Sequence, residues 1–442
     1  MITIAYHFLG CRLNEAENEQ LAREMTKSGY RMVTLQDHPD VIVLNTCGVT
    51  SEAMRKSRNY ARRMAALHPS VLVLMGCAID LMAAGEMPLE DQVLEDIDGE
   101  GLPEKGSIEI IRILRDDRPN AAKLIKEAIQ KYIHPDDIHE NDRKSAEDSY
   151  RLRMRSFIKI EDGCNNQCTY CSVRLARGPE KSIPSEQILN EIRKCINLGE
   201  KEFVLTGVQI GAWKEDNRRL PDLLQDILDQ TDVQRLRLSS IEPWHIKPEL
   251  WRLWQDHRLC PHFHIPVQSG SDAVLSMMKR RTSIEGYLEK IDQMRKDIPG
   301  VRISTDIIVG FPGETEEMWQ ETLRFIQRAS FDDVHLFTFS ARPNTIAATL
   351  PGALSYEEKH KRWYQAEELI NRIKRERLEN QIGLQCSVLW ENISNRKPGF
   401  NLWHGYSQNY LKLMRWFEAD KWMRGQTTDE VFTADDVMNI SD

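Results

Sequence analysis

Residues 157–171 read FIKIEDGCNNQCTYC, an apolar stretch followed closely by three cysteines. The stretch Phe157–Ile160 is predicted as a β-strand, which places Cys164, Cys168 and Cys171 in the loop after its carboxyl end. Three thiolates at this spacing can bind one inorganic centre from a single loop. Barrels of alternating strands and helices carry out their chemistry at the carboxyl ends of the strands. The loop is therefore expected to form part of an active site.

Downstream of this loop, short apolar strands alternate with amphipathic helices. The further predicted strands are Phe203–Thr206, Leu236–Ser239, His262–Val267, Val301–Val309 and Val334–Phe339. The predicted helices are Ser185–Leu198, Leu220–Asp229, Ser283–Asp297, Thr315–Arg328 and a long charged helix over Ser355–Gln381. Six strand–helix units in about 190 residues indicate a partial (β/α)6 barrel, an incomplete version of the eightfold barrel that is open on one side. An open, flat sheet is the alternative architecture.

The first 77 residues repeat a related unit three times. The predicted strands Ile2–Phe8, Val41–Leu44 and Val71–Met75 are followed by Cys11, Cys47 and Cys77, with helices predicted over 14–28 and 52–68. Near-continuous apolar strands alternating with helices predict a parallel, flavodoxin-like α/β sheet. Ligands of such sheets bind outside the carboxyl ends of the strands, so the three thiolates are expected to converge on one site. Three independently buried cysteines are the alternative interpretation.

The number of ligands favours iron–sulfur clusters over zinc at both triads. A structural zinc site usually has four ligands, and the CxxxCxxC loop has no fourth cysteine or histidine nearby. A four-iron cluster held by three cysteines instead leaves one iron free to bind an exogenous ligand. The remaining cysteines, Cys195, Cys260 and Cys386, are assigned no ligand role.

The CxxxCxxC spacing resembles that of the radical S-adenosylmethionine superfamily, in which an aromatic residue usually stands where this sequence has Tyr170. Together, the two triads resemble the methylthiotransferase family of radical enzymes. The resemblance covers nearly the whole chain and is carried by Leu9–Asn14, Asn45–Cys47, Gly76–Cys77, the cysteine loop, Ala176–Gly178, His264–Ser271 and Thr305–Thr315.

This resemblance implies two [4Fe-4S] clusters and S-adenosylmethionine as cofactors. The cluster on Cys164, Cys168 and Cys171 would cleave S-adenosylmethionine to a 5′-deoxyadenosyl radical. The auxiliary cluster on Cys11, Cys47 and Cys77 would carry the sulfur species that a second S-adenosylmethionine methylates. The methylated sulfur would then be inserted at the activated carbon.

Candidate cofactor-binding residues follow the predicted barrel strands. Tyr170 lies within the cysteine loop, and Gly207 follows the second strand, where the family contacts the methionine amino group, although the glycine could merely permit a turn. Glu242 follows the third strand and would either bind the ribose hydroxyls or face solvent. Gln268 is predicted to point into the barrel toward the cofactor or substrate, whereas His262 and His264 are predicted to be structural.

The C-terminal segment differs from the rest of the chain. Residues 381–442 lose the helical period and contain four of the ten tryptophans, and Cys386–Trp390 and Tyr410–Met414 are predicted as strands of a small antiparallel β-barrel. The methylthiotransferase family ends in such a TRAM-like barrel, which binds tRNA, but Gly405–Tyr410 only loosely matches the family's segment. An ordinary aromatic core is the alternative role for the tryptophans.

These features predict four regions. The auxiliary-cluster domain is expected over 1–115, a linker over 116–150 with a helix at 121–132, the radical core over 151–380 and the TRAM-like domain over 381–442.

The charge distribution bears on the partners. With 59 basic and 68 acidic residues the net charge is −9, which by itself argues against a nucleic-acid partner. Basic surfaces are nevertheless expected at Arg55–Arg63 and over 381–424, which would suit tRNA. No long apolar segment and no secretion signal are evident, so a cytoplasmic location without membrane contact is expected. The resemblance further implies an electron donor of the flavodoxin or ferredoxin type.

The motifs GCNNQCTYC, LTGV and LSSIE look more like the group that acts on N6-threonylcarbamoyladenosine next to the anticodon than like the isopentenyladenosine group. A threonylcarbamoyl group carries a carboxylate, which Arg174, Arg177 and Lys181 could bind, although a solvated loop explains these cations equally well. The predicted function is C2 methylthiolation of that nucleoside. The alternatives are isopentenyladenosine, a ribosomal-protein side chain, or a non-catalytic tRNA-binding protein that holds zinc.

Overall fold

The computed structural model describes residues 1–83, 85, 108–133 and 154–441, so most of the predicted linker lies outside the described residues. The N-terminal region contains a five-stranded parallel sheet in the order β2-β1-β3-β4-β5. Its strands are β1 Thr3–Phe8, β2 Arg31–Met32, β3 Val41–Thr46, β4 Val71–Gly76 and β5 Glu109–Ile113. This order is that of a flavodoxin-like sheet and confirms the prediction.

Helices cover both faces of this sheet, because the central strands β3 and β4 are buried throughout. The helices are α1 Arg12–Lys27, α2 Ser51–Ala65, α3 Cys77–Ala83 and α4 Ala121–Tyr132. The apolar face of α4, which includes Ile125 and Ile129, packs into the same core as Val41 and Val71. The sequence prediction placed α4 inside a linker. The structure differs there, because the apolar stripe of this helix is buried on the N-terminal sheet.

The second region is a six-stranded parallel assembly in sequential order. Its main strands are β6 Arg155–Lys159, β9 Glu202–Thr206, β12 Arg235–Leu238, β13 His262–His264, β14 Arg302–Val309 and β15 Asp333–Thr338. Two three-stranded sheets are joined by parallel bridges from Leu236 to Leu259 and from Ser240 to His264. Sequential neighbours with helices on one side curve into a barrel, whereas an open doubly wound sheet reverses its strand order. The partial barrel is thus confirmed.

The helices of this region pack on the outer face of these strands in one continuous apolar core, except the short first one, whose Ala176 packs with Cys77 and Leu81 of the N-terminal region. They are α5 Val173–Arg177, α6 Ser185–Asn197, α7 Leu220–Gln230, α8 Pro248–Trp251, α9 Asp272–Met277, α10 Ile284–Asp297, α11 Glu316–Ala329 and α12 Tyr356–Glu379. Two small antiparallel pairs complete this region: β7 Glu161–Asp162 with β8 Lys181–Ser182, and β10 Lys214–Glu215 with β11 Arg218–Arg219.

The C-terminal region is a four-stranded antiparallel sheet in the order β18-β17-β16-β19, followed by α13 Ala434–Ser441. The strands are β16 Gln385–Lys397, β17 Phe400–Ser407, β18 Lys412–Glu418 and β19 Thr427–Val431. Trp390 and Trp403 are fully buried in its core, whereas Trp416 and Trp422 are exposed. The aromatic-core interpretation therefore holds for Trp390 and Trp403, and a role of Trp416 and Trp422 in tRNA binding stays a prediction.

The turn between β17 and β18 enters the amino-terminal mouth of the barrel. Tyr410 accepts a hydrogen bond from Arg155 at 3.0 Å, and its ring stacks on His262. Arg235 donates to the carbonyl of Tyr406 at 3.0 Å. The segment Gly405–Tyr410 thus joins the C-terminal sheet to the barrel. No helix among the described residues has the length and apolar character needed to span a membrane.

Candidate active site

The N-terminal cysteines lie at the carboxyl ends of three adjacent strands. Cys11 follows β1, Cys47 follows β3, and Cys77 is the first residue of α3 after β4. Gly10 has a φ of +96°, and a Cβ atom there would lie 2.7 Å from both the Cβ and the Sγ of Cys47. The first two cysteine loops can approach each other only because residue 10 is glycine.

Polar side chains hold these loops in place. Asn14 donates to the carbonyls of Leu9 at 2.7 Å and of Thr46 at 3.0 Å, which ties the first loop to the second. Ser57 accepts from the amide of Cys47 and donates to its carbonyl. Burial raises the pKa of Cys47 to about 11 and also raises the pKa of Cys77, while the neighbouring thiols of the triad contribute in the same direction. Binding of a cation would displace the thiol protons from these groups.

The second triad lies in the loop between β7 and α5, close to the carboxyl end of β6. Backbone amides donate to two of its sulfurs, from Asn166 to Cys164 at 3.3 Å and from Val173 to Cys171 at 3.4 Å. Hydrogen bonds of this kind are typical of cluster-bound sulfur and tune its potential. Burial raises the pKa of Cys164 to about 11 and that of Cys171 to about 12, with further contributions from the other thiols.

Both triads fit a cluster better than a single ion. Thiolates on one zinc ion, with bonds of about 2.3 Å, lie about 3.8 Å apart. Among the described residues, the group of three donor atoms that all lie within 4.8 Å of one another consists of His264, Asp306 and His335, and neither cysteine triad is that compact. The wider spacing of the sulfurs suits a multi-iron centre.

Two predicted cofactor residues border the second triad. Tyr170 packs against the apolar cluster that contains Phe311 and Phe339. Glu242 does not face open solvent. It forms a bidentate ion pair with Arg280, which donates to its two carboxylate oxygens at 3.1 Å and 2.6 Å. The negative charge of Glu242 also contributes to the raised pKa values of Cys164 and Cys171.

Gly207 and Gln268 also lie at carboxyl ends of the strands. A Cβ on Gly207 would lie 2.8 Å from the carbonyl oxygen of Glu161 and 2.9 Å from its carboxylate, so close packing, not a turn with positive φ, requires glycine. Gln268 has a φ of +81°, and its backbone bonds to β14 in both directions, through the carbonyl of Asp306 and the amide of Ile308. Its side chain is half-buried.

The predicted role of Arg177 is corrected by its surroundings. Its side chain is only 1 % exposed and donates to Glu17 at 2.9 Å, to Asp162 at 3.0 Å and to Asn14 at 2.6 Å. Its Nε also donates to the sulfur of Cys77 at 3.2 Å. A guanidinium with these partners cannot reach a substrate from this position. It instead joins the helix after the second triad to a cysteine of the first.

The other two predicted substrate residues remain accessible. Arg174 and Lys181 are exposed, and Lys181 lines a cavity of about 740 Å³ between the N-terminal sheet and the barrel. Arg115 and Arg118 of the N-terminal region line the same cavity.

Several site residues were missed by sequence reasoning. Arg280 fixes Glu242, and Asn14 and Glu17 bind Arg177. Glu161 is a fully buried carboxyl group that accepts from the amide of Gln209 at 2.7 Å, and burial raises its pKa to about 8. The sequence does carry a signal for Glu161, because an acidic residue three positions before the first cysteine of the loop is a candidate site residue. Asn14 and Glu17 lie more than 150 positions from Arg177 in sequence and gave no such signal.

Comparison with known proteins supports the same assignment. The Radical SAM superfamily model matches residues 158–326, and the model described as Uncharacterized protein family UPF0004 matches residues 3–93. With the cysteine loop at the head of a partial barrel, these matches define the class of protein as a radical S-adenosylmethionine enzyme.

Curated relatives extend over most of the chain. It is 32% identical over 424 residues to threonylcarbamoyladenosine tRNA methylthiotransferase MtaB of Bacillus subtilis, covering 94% of this chain and 90% of the relative. It is 34% identical to the enzyme of the same name from Thermotoga maritima, covering 93% and 91%. It is also 34% identical to tRNA-2-methylthio-N(6)-dimethylallyladenosine synthase of Thermoanaerobacter, covering 88% and 83%. The chain belongs to the methylthiotransferase family of radical S-adenosylmethionine enzymes.

Solved structures support the fold. The radical S-adenosylmethionine methyltransferase TsrM from Kitasatospora setae superposes with a TM-score of 0.57 at 12% identity, covering 79% of this chain and 75% of that one. At this identity the likeness concerns the arrangement of the sheet and barrel alone.

Proposed function

We propose that this protein inserts a methylthio group at C2 of N6-threonylcarbamoyladenosine next to the anticodon of tRNA. The observation that carries the proposal is the presence of two cysteine triads at carboxyl strand ends, connected by Arg177 through its contact with Cys77. A protein that only binds tRNA has no use for two such sites held against each other.

The chain's own residues would position the reactants. Cys164, Cys168 and Cys171 would hold one [4Fe-4S] cluster, and Cys11, Cys47 and Cys77 the other. When bound, the clusters and S-adenosylmethionine supply the methyl group, the sulfur and the radical. Tyr170, Gly207, Glu242 and Gln268 surround the mouth of the barrel where S-adenosylmethionine would lie. Arg177 and Asn14 would keep the auxiliary site seated against the barrel and exclude water.

The nucleoside is argued from the relatives and from charge. Relatives named for threonylcarbamoyladenosine align over 93–94% of this chain, and those named for dimethylallyladenosine over 88%. Arg174 and Lys181 are exposed cations near the cysteine loop, suited to the carboxylate of a threonylcarbamoyl group. An isopentenyl group requires only apolar walls.

Mass spectrometry of tRNA nucleosides tests this choice. In a strain that lacks the gene, we expect loss of the 2-methylthio derivative of threonylcarbamoyladenosine, with its precursor intact. Complementation with the wild-type gene should restore it, and a Cys164→Ala gene should not. Loss of the isopentenyl derivative instead would assign the protein to the other nucleoside, and modification of a ribosomal protein alone would contradict a tRNA substrate.

For the contact with tRNA, we propose two exposed groups of cations and aromatic rings on the C-terminal sheet: Lys397 with Phe400 and Trp416, and Arg424 with Trp422. Phe400, Trp416 and Trp422 are between 40% and 58% exposed. Lys397 lies 4.2 Å from the ring centre of Trp416, and Arg424 lies 5.3 Å from that of Trp422. Exposed rings next to cations suit base stacking with phosphate attraction. The basic helix α2 with Arg55–Arg63 is a second candidate surface.

The chemistry also requires a source of electrons. A flavodoxin or ferredoxin is the proposed donor, and the proposed location is the cytoplasm, where thiols stay reduced. The zinc alternative is tested by anaerobic purification. A brown protein with broad visible absorbance supports the clusters, and a colourless protein that contains zinc would overturn the proposal.

A further inference from the structure

Three metal-ligating side chains converge inside the barrel, away from both cysteine triads. His264 on β13, Asp306 on β14 and His335 on β15 bring one donor atom each to within 4.8 Å of one another. The Nε2 of His264 lies 3.1 Å, and the Nδ1 of His335 3.3 Å, from the same oxygen of Asp306. The sequence predicts a structural role for His264 and assigns no role of their own to Asp306 and His335.

These side chains share the inner face of three adjacent strands. The alternate residues Phe263, Ile303 and Ile307 point the other way and pack in the outer core with helices α10 and α11. The inner face is not filled by apolar groups here, because His335 remains 54% exposed. A ligand in the barrel can therefore reach the three donors.

The tautomer of His264 decides what lies between its Nε2 and Asp306. Ser304 directs its hydroxyl to the carbonyl of Phe263 and lies 2.9 Å from the Nδ1 of His264. With Nδ1 donating to Ser304, the Nε2 of a neutral His264 turns a lone pair toward Asp306. The Oδ1 of Asp306 is shielded from solvent and faces the Nε2 of His264 and the Nδ1 of His335. In this tautomer the two lone pairs at 3.1 Å repel unless a metal cation lies between them, whereas in the other tautomer a proton on Nε2 bridges the same two atoms.

We propose that His264, Asp306 and His335 form a binding site for a divalent first-row transition metal ion. Two imidazoles and one carboxylate are a known ligand set for such ions and leave coordination positions open. Bonds of about 2.1 Å place neighbouring donors about 3.0 Å apart in an octahedron and about 3.4 Å apart in a tetrahedron. The separations of 3.1 and 3.3 Å to Asp306 lie between these values.

The surroundings provide one hydrogen-bonding outer partner of the kind that metal-bound histidines usually have, and a carboxylate close to the second histidine. Ser304 orients His264, and the carboxylate of Asp333 lies 3.9 Å from the Nε2 of His335. Outer partners of this kind fix the ring and the tautomer of a ligating histidine. The site uses none of the six cluster cysteines and does not depend on methylthio transfer.

The test is to titrate Mn²⁺ into the anaerobically prepared, cluster-loaded protein. The electron paramagnetic resonance signal of free Mn²⁺ measures how much of the ion the protein has bound. We choose Mn²⁺ because it favours oxygen and nitrogen ligands over thiolates. We expect one Mn²⁺ per chain. His335→Ala should weaken uptake at least about tenfold, and Ser304→Ala, which keeps all three donors, by about tenfold.

His257→Ala is the matched control, since His257 is 90% exposed beside Asp256 and belongs to no three-ligand group within the part of the chain that the structure describes. It should bind Mn²⁺ as the wild type does. Visible absorbance of the clusters and circular dichroism verify that each variant is folded. No uptake by the wild type at millimolar Mn²⁺, or equal uptake by a folded His335→Ala variant, would overturn the proposal.

Discussion

Arg177 shows how a single buried charge can connect two sites. Its guanidinium reaches Glu17 and Asn14 on α1, Asp162 on β7 and the sulfur of Cys77. Burying so many charged groups is favourable only when each is paired, and removing one partner leaves the others without compensation. The residue therefore acts on both the stability and the placement of the auxiliary triad.

We expect Arg177→Met to lower the free energy of unfolding by about 1–3 kcal/mol, because Glu17 and Asp162 would lose one of their two shared cations and keep Lys159. The variant should also lose iron from the auxiliary site and alter its paramagnetic resonance spectrum. Arg177→Lys, which keeps the charge, should recover part of the stability. Arg174→Met on the exposed face of the same helix is the control. A folded Arg177→Met protein with unchanged iron content and spectrum would contradict this positioning role.

Glu161 gives a prediction about pH. Burial raises its pKa to about 8, whereas in an unfolded chain a glutamate has a pKa of about 4.3. Between these values the unfolded state is ionised and the folded state keeps its proton, so the stability contributed by Glu161 is lost as pH rises through this window. In the wild type, the denaturant concentration at the midpoint of unfolding should fall between pH 6 and pH 8.5. We expect this fall to be smaller in Glu161→Gln. Identical pH profiles for variant and wild type would exclude this origin.

At the scale of elements, the β17–β18 turn anchors the C-terminal sheet. Tyr410 lies among Arg155, His262 and Arg237, the last of which has its guanidinium 4.6 Å from the tyrosine ring centre. We expect Tyr410→Phe to cost about 1.5–3 kcal/mol through the lost bond to a charged group. Tyr410→Ala should cost about 3–5 kcal/mol and should speed proteolytic release of the C-terminal region. The exposed Tyr364 provides the control substitution to alanine. Unchanged proteolysis of Tyr410→Ala would show that the turn does not hold the domains together.

The regular elements were predictable because they depend on local periodicity. All six barrel strands and the helices Ser185–Asn197, Leu220–Gln230 and Glu316–Ala329 lie within a few residues of their predicted ranges. The cysteine positions at strand ends were predictable for the same reason. The short edge strand β2 and helix α9 were missed, since six or fewer residues show too little periodicity.

What could not be predicted depends on long-range contacts. The side chain of an arginine after a cysteine loop looks like a substrate ligand until its partners on α1 are known. Helix α4 looked like part of a linker because its apolar stripe had no visible partner in the sequence. Gly405–Tyr410 was considered only as a tRNA contact, but four buried charges in the barrel mouth determine its position.

At the scale of the whole molecule, the two triads lie in separate regions. Replacing Cys164, Cys168 and Cys171 by alanine should leave one cluster and abolish cleavage of S-adenosylmethionine. Replacing Cys11, Cys47 and Cys77 should preserve cleavage to 5′-deoxyadenosine and stop methylthio transfer. Iron analysis and chromatography of the products measure both outcomes. Full iron content in the second variant would contradict the assignment of its three cysteines.

The net charge of −9 makes tRNA binding a local property of the surface. We expect Trp416→Ala and Trp422→Ala each to weaken tRNA binding by about 1–3 kcal/mol through lost stacking. Lys397→Ala should also make the affinity less dependent on salt, because one phosphate contact is removed. The exposed Tyr356, outside the C-terminal sheet, gives the control. Filter binding at several salt concentrations measures these effects, and unchanged affinity in both tryptophan variants would move the interface elsewhere.

Helix α5 begins two residues after Cys171 and ends at Arg177, whose side chain touches Cys77. It acts as a rigid spacer between the two triads. One added residue would turn Arg177 by about 100° and advance it by about 1.5 Å, which would point the guanidinium away from the sheet. The placement of one cysteine triad relative to the other therefore depends on the length of a five-residue helix, and an insertion there would break the link between them.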